Sequence, residues 1–244
     1  MAHMKINIVF EDKNLLVADK PAGIIVFRED KTDEKTLIDL LVKKYQNLKN
    51  VGEAPRYGII HRLDKDTSGL LLVAKNNETL FFLQKQFQQR KVIKKYIALV
   101  TGEIKNEKGV IDTLIGRGLK DRKKQRVYLP FEPGAENKRQ AVTNYNVLKR
   151  FIDKKKNKYT LVEVEIKTGR KHQIRAHFQY LNHPVCGDKM YGFKNQVEPN
   201  GLKRQFLHAS ILKIKTLDGS KKEFKSKLPE HLDNALNNLE EVSN

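Results

Sequence analysis

His61-Arg62-Leu63-Asp64-Lys65-Asp66-Thr67-Ser68-Gly69-Leu70-Leu71-Leu72-Val73-Ala74-Lys75 is the stretch on which the reading of this chain turns. Its first half is charged and turn-prone. Its second half, residues 69–74, is an unbroken apolar run flanked by Thr67, Ser68 and Gly69. A run of that length between such flanks predicts a buried strand. The polar half is then delivered to the mouth of the core, where a carboxylate is partly desolvated and becomes reactive. Asp64 and Asp66 would share a face in an extended chain but need not in a turn. Asp66, ahead of Thr67-Ser68-Gly69, has the position of a turn carboxylate that bonds the nearby backbone.

Working outward, apolar runs at residues 8–10 and 15–18 flank Glu11-Asp12-Lys13-Asn14, which is turn chemistry, and predict two short strands. Lys20-Pro21-Ala22-Gly23 then breaks the chain before an apolar run at 24–26. Leu37, Leu40, Leu41 and Val42 have helix-face spacing within residues 36–45, with Thr32 or Asp33 as the cap. A second helix is expected over 78–90, capped by Asn77, with Leu80, Leu83 and Phe87 on one face. Strands are predicted over 94–100, 140–150, 160–167 and 207–214. In 160–167, Val162, Val164 and Ile166 alternate with Glu163 and Glu165. Residues 117–126 read as a basic loop and 154–158 as a charged hairpin tip. A helix over 171–181, stopped by His183-Pro184, and a terminal helix over 232–239 complete the pattern. Strands outnumber helices and join mostly through short turns. That is an α+β fold with a mixed, largely antiparallel central sheet and flanking helices, not an alternating βαβ nucleotide-binding pattern.

Lys and Arg number 48 against 29 Asp and Glu, a formal net charge of +19. A field of that sign attracts polyanions, and charge alone fits RNA, DNA or an anionic membrane. No apolar run is long enough to span a bilayer, which argues against a membrane partner. The single cysteine, Cys186, excludes an intrachain disulfide framework and suits a cytoplasmic setting. It reads as a small buried residue. Residues 1–4, Met1-Ala2-His3-Met4, lack an apolar signal region and read as a vector-derived remnant.

Two further stretches carry chemistry. In Thr168-Gly169-Arg170-Lys171-His172-Gln173-Ile174-Arg175-Ala176-His177, His172 and Arg175 would share a helix face. His172 and His177 are too far apart for a zinc-binding pair on one helix, and no Glu follows His172, so no metal site is predicted. Arg170 and Arg175, near a helix start, suit phosphate or carboxylate partners. In Lys94-Lys95-Tyr96-Ile97-Ala98-Leu99-Val100-Thr101-Gly102, Tyr96 by itself reads as a core aromatic.

Together these stretches resemble the RluA family of RNA pseudouridine synthases. Residues 61–75 match its catalytic motif, and Lys20-Pro21-Ala22-Gly23 its N-terminal motif. Lys95-Tyr96-Ile97-Ala98 matches the motif that supplies a tyrosine. The 168–177 stretch, followed by His183-Pro184 and Gly187-Asp188, matches the motif that supplies a basic residue, and Leu207-His208-Ala209 the closing motif. The order is right, and His61 stands where the related RsuA family has Gly. The resemblance implies the pseudouridine synthase fold with an active-site cleft, residues 5–232 as the catalytic domain, and 233–244 as a helix end and tail. It implies isomerisation of uridine in ribosomal or transfer RNA by base flipping. Asp64 would be the nucleophile, Arg175 its basic partner and Tyr96 the residue stacking on uracil. RNA contacts are expected from Arg62, His61, Arg170, His172, Lys20, Arg117, Lys123 and Arg126. Arg62 either fills the space that the flipped base leaves or makes a surface ion pair. The reaction needs no cofactor and no metal, and a monomer is expected. Many members carry an N-terminal S4 RNA-binding domain. The match here begins close to the chain's start, which would leave RNA selection to the catalytic domain. A non-catalytic RNA-binding module and an Asp-dependent glycosidase are the competing readings. The second of these needs a paired carboxylate that the sequence does not offer.

Overall fold

The computed structural model describes residues 6–28, 34–118, 121 and 123–242. In chain order the elements are β1 (Asn7–Glu11), β2 (Leu15–Lys20), α1 (Leu37–Lys44), a 3-10 helix (Gln46–Asn50), β3 (Ser68–Ala74), α2 (Asn77–Gln88), β4 (Ile93–Thr101), β5 (Lys108–Arg117), β6 (Gln125–Tyr128), β7 (Arg139–Ile152), β8 (Lys158–Ile166), α3 (Gln173–Tyr180), β9 (Leu207–Lys215), β10 (Lys221–Lys225), α4 (Glu230–Asn237) and β11 (Glu240–Val242). This is the expected α+β class with mostly antiparallel pairing. The chain divides into two compact units, one holding the residues through Lys94 with Ala209–Lys227, the other Lys95–His208 with the residues from Leu228 onward.

In the first unit the strand order is β1-β2-β3-β9-β10. Asp12 makes the first hairpin: its Oδ1 accepts the Asn14 and Leu15 amides at 2.8 and 2.7 Å. Every residue of β3 is buried, and Leu70 and Leu72 pack with Leu15, Val17, Leu83, Leu212 and Ile214. Each such side chain contributes about 1.5–3 kcal/mol through burial. Two helix caps differ from expectation. Thr36 caps α1 in a reciprocal capping box with Asp39, whereas Thr32 and Asp33 lie outside the described residues. Asn76, not Asn77, caps α2 through the Thr79 amide at 2.9 Å; the Asn77 carboxamide oxygen instead accepts the Gly52 amide at 2.7 Å.

In the second unit the order is β4-β8-β7-β5-β6, with β11 on the far end of β7. The stretch 117–126, expected as a loop, joins β5 to β6, with strand pairing only at its ends: Arg117 pairs with Gln125 and Gly116 with Arg126. Residues 119, 120 and 122 of that stretch lie outside the described residues. A terminal helix forms where 232–239 was expected to be one, and a short strand follows it. Leu232 and Ala235 of α4 sit in a core cluster with Leu99, Phe151, Tyr159 and Phe206, and Glu240–Val242 pairs as an edge strand.

Candidate active site

Asp64 stands four residues before β3, on a turn closed by the Thr67 amide donating to its carbonyl at 3.1 Å. The next carbonyl, that of Lys65, is held twice. It accepts the Gly23 amide at 2.9 Å and the Lys20 ammonium at 2.9 Å. Lys20 also donates to the carbonyls of Pro21 and Ile24, each at 2.9 Å, and is fully buried. The expectation that Lys20 meets RNA is therefore corrected. A tetrahedral ammonium enclosed among carbonyls is a staple, and it ties the 20–24 segment to the Asp64 turn. The carboxylate-bearing residue itself is half-exposed.

His61, half-exposed, also serves the turn. Its ring stacks on Phe87 of α2, centroids 5.0 Å apart and planes at 21°. Its Nε2 accepts the Leu72 amide of β3 at 3.2 Å, and the ring makes a backbone hydrogen bond to Arg62. Desolvation, reinforced by the Lys94 ammonium, pushes its pKa down to about 3. It is a neutral anchor of the turn that stays half-exposed. Arg62 is exposed. Its guanidinium stands 5.5 Å from the Phe27 ring centre and within electrostatic reach of the Asp64 carboxylate.

In the second unit, α3 presents Arg175. Its Nε and Nη2 donate to Asp188 Oδ2 and Oδ1 at 2.6 and 2.9 Å, and its guanidinium lies 4.9 Å from the Tyr191 ring centre. Asp188 Oδ1 also accepts the Met190 and Tyr191 amides, each at 3.0 Å. Both members of the ion pair are buried. The Gly187-Asp188 motif thus orients the arginine, a role that the sequence alone did not assign. The same helix is pinned at His177, whose Nδ1 and Nε2 meet the hydroxyls of Thr143 and Thr113 at 2.8 and 3.1 Å. Desolvation pushes His177 down to about 4, against a smaller upward pull from Asp112. Gln173 fastens the helix start, accepting from Thr168 Oγ1 at 2.8 Å and donating to the Val142 carbonyl at 3.0 Å.

His172 is not on a helix face shared with Arg175. It is the cap residue of α3, in left-handed backbone conformation (φ 55°), and its Nδ1 meets the Tyr191 hydroxyl at 2.9 Å. That hydroxyl accepts the Gln125 amide at 2.7 Å, linking α3 to the β6 strand. Arg170 is half-exposed and its Nε donates to the Gln140 carbonyl at 3.0 Å. Tyr96 is buried in β4 opposite Val164 of β8. Arg117, Lys123 and Arg126 are exposed on the β5–β6 hairpin. The Arg126 guanidinium is paired with Glu132 and stacked on Tyr128. Cys186 is fully buried, and burial pushes its thiol far above the ordinary value.

A polar turn clamped at the head of an all-buried strand, and a short helix holding a buried arginine, are the two built features of this chain. The same fold occurs in the human RNA pseudouridylate synthase domain containing 1, whose structure superposes with a TM-score of 0.77 at 28% identity, covering 98% of this chain and 89% of that one. The human RNA pseudouridylate synthase domain containing 4 gives 0.76 at 26%, covering 96% and 94%. Those structures define the class as pseudouridylate synthase domains. The RNA pseudouridylate synthase family model matches residues 14–180, and the chain belongs to that family. Among similar sequences, an RNA pseudouridine synthase of Aquifex aeolicus is 42% identical over 200 residues, 82% of this chain and 60% of that protein. One of Bacillus subtilis is 38% identical over 237 residues, covering 97% and 73%. The ribosomal large subunit pseudouridine synthase D of Nitrosomonas europaea is 40% identical over 215 residues, covering 86% and 58%. The chain spans about three fifths of the Aquifex and Nitrosomonas proteins.

Proposed function

We propose that this chain converts uridine to pseudouridine in RNA, with Asp64 as nucleophile, Arg175 as its basic partner, and Tyr96 stacking on the base. The reaction is an isomerisation. The N1–C1′ bond breaks, the uracil turns, and C5 joins C1′; C5 gives up a proton and N1 gains one. The target must leave its stack first, at a cost of roughly a few kcal/mol. Arg62, exposed beside Asp64, is suited to hold a phosphate or fill the vacated space.

The observation that carries this reading is the clamp on the Asp64 turn. Lys20 and Gly23 converge on the carbonyl next to Asp64, and such fixing of a reacting group is how orientation lowers a barrier. A passive RNA-binding surface has no need of it. Large-subunit ribosomal RNA is the proposed substrate class, by likeness to relatives named for that RNA. The protein acts as a monomer in the cytoplasm.

An Asp64→Asn protein should bind RNA and form no pseudouridine, scored by chemical mapping of large-subunit RNA with and without the gene. Unchanged turnover in that variant removes Asp64 as nucleophile. Release of free uracil by the unmodified chain would mark a glycosidase instead.

A further inference from the structure

A groove of about 750 Å3 in the first unit lies where the C-terminal turn of α2 and the 91–93 segment meet the β9–β10 hairpin. Its apolar floor includes Phe82, Ile93 and Ile214, and its rim carries Lys85, Lys91, Lys213, Lys215, Lys221 and Lys222 against one carboxylate, Glu223. The hairpin register shows how those charges are balanced. Lys213 pairs directly with Glu223, and their side chains form an ion pair at 2.6 Å. Two residues along the same face, Lys215 is directly opposite Lys221. Like charges at directly opposed positions destabilise a hairpin.

Among the described residues no carboxylate forms an ion pair with either lysine. Among the described residues Lys85, Lys91, Lys215 and Lys221 make no ion pair, and all four are exposed. Asp218, at the hairpin's turn, has its carboxylate engaged by Thr216 and Ser220. The groove is nevertheless firmly built. Gln86 of α2 bridges to the backbone of Lys215 in both directions, donating to its carbonyl at 2.8 Å and accepting its amide at 3.0 Å. A rigid concavity with an uncompensated cation pair at its lip and an aromatic and aliphatic floor matches a ligand with spaced phosphates and flat apolar faces.

We infer that this groove is a second RNA site, which takes backbone phosphates on Lys91, Lys215 and Lys221 and a base or sugar on Phe82 and Ile93. The inference rests on the proposed action on RNA. It extends that reading, because Gly69 at the head of β3 touches Ala209 of β9, and Lys215 lies roughly 20 Å further along that strand. The groove therefore grips RNA beyond the target nucleotide, and aromatic stacking with lysine contacts is a sequence-tolerant grip.

The test is fluorescence anisotropy of a labelled oligouridylate several times longer than that span, on the Asp64→Asn chain, across a potassium chloride series. Lys91→Gln, Lys215→Gln and Lys221→Gln are combined. The control combines Lys154→Gln, Lys155→Gln and Lys156→Gln at the exposed β7–β8 tip, an equal loss of charge. Loss of three phosphate contacts should make the slope of log affinity against log salt shallower by about two, at ~0.7 per contact for a single strand. The groove variant should do this while its thermal midpoint holds or rises, because the opposed cations are gone. The control slope should not move. Equal shifts in both variants, or none in the groove variant, overturn the inference. Pseudouridine formation by the unmodified chain is mapped separately. Absence of product with the groove shift intact removes the isomerase reading and leaves the groove; product with no groove shift does the reverse.

Discussion

Lys20 is one of the expected site residues whose character the structure changes most. In sequence it is one more cation in a chain of net charge +19. In the fold its ammonium is enclosed by three carbonyls at 2.9 Å. Lys20→Met keeps the volume and strands those acceptors, at ~1–3 kcal/mol for a buried group left unsatisfied. Its urea midpoint should fall, its turnover should fall with it as the Asp64 turn loosens, and the salt dependence of RNA binding should stay as it was. A slope shallower by about one would instead make Lys20 a phosphate contact. Two histidines held neutral by the fold, the half-exposed His61 and the buried His177, give a pH signature. His61 and His177 have pKa values pushed down to about 3 and about 4, below the ordinary value near 6.5. Between those limits the unfolded chain binds protons that the folded chain refuses, so stability is full above about pH 6.5 and is lost as pH falls toward 4. Each unit of pH costs about 1.4 kcal/mol per histidine. Urea midpoints at pH 7 and pH 5.5 should therefore differ clearly, and His177→Gln should flatten part of that difference. A pH-independent midpoint would show that the fold holds neither ring neutral.

At the scale of elements, α3 is buried around most of its circumference, with Gln173, Ile174, Arg175, Ala176, His177 and Phe178 all enclosed. Ile174 and Phe178, four residues apart, have the apolar spacing that a hydrophobic pattern reports. Such a pattern could not find Asp188, Thr143 or Thr113, whose importance lies in which polar groups they satisfy across the fold. His172 misled for a related reason: helix geometry was extended two residues too far, over a position whose left-handed backbone lies outside that geometry. The 69–74 run was legible since burial on both faces leaves an apolar signature, whereas the strand pairing at Arg117 and at Gln125–Arg126 was hidden behind charges. The buried pair makes a direct prediction. Asp188→Ala breaks the buried ion pair of Arg175 by removing one partner, which costs about 3–5 kcal/mol. Asp188→Asn keeps the shape and loses less stability. In the Asn variant the single-turnover rate should drop roughly tenfold or more, as misorientation of a catalytic group does, while the RNA dissociation constant stays within about twofold of the parent. Equal losses in rate and binding would place Asp188 in RNA contact rather than behind Arg175.

For the molecule as a whole, the excess charge was plain in the composition, but its arrangement was not. The opposed pair Lys215 and Lys221 exists only because the β9–β10 register brings them face to face, while Arg126, counted in sequence as an RNA contact, is paired with Glu132. Charge therefore divides between cations neutralised within the fold and cations left for a ligand, and only the latter release counterions on binding. A chain that neutralises six to ten phosphates loses ~10³–10⁵-fold in affinity between about 50 and 200 mM salt. The proposed chemistry at Asp64 is local and rearranges bonds within one nucleotide, so it should not follow that dependence. Single-turnover rates at saturating enzyme should stay nearly flat over the same salt range while the half-saturating enzyme concentration climbs steeply. If the saturated rate falls in parallel with affinity, the cations act on the bond-making step itself, and the division between a gripping surface and a separately clamped carboxylate is wrong.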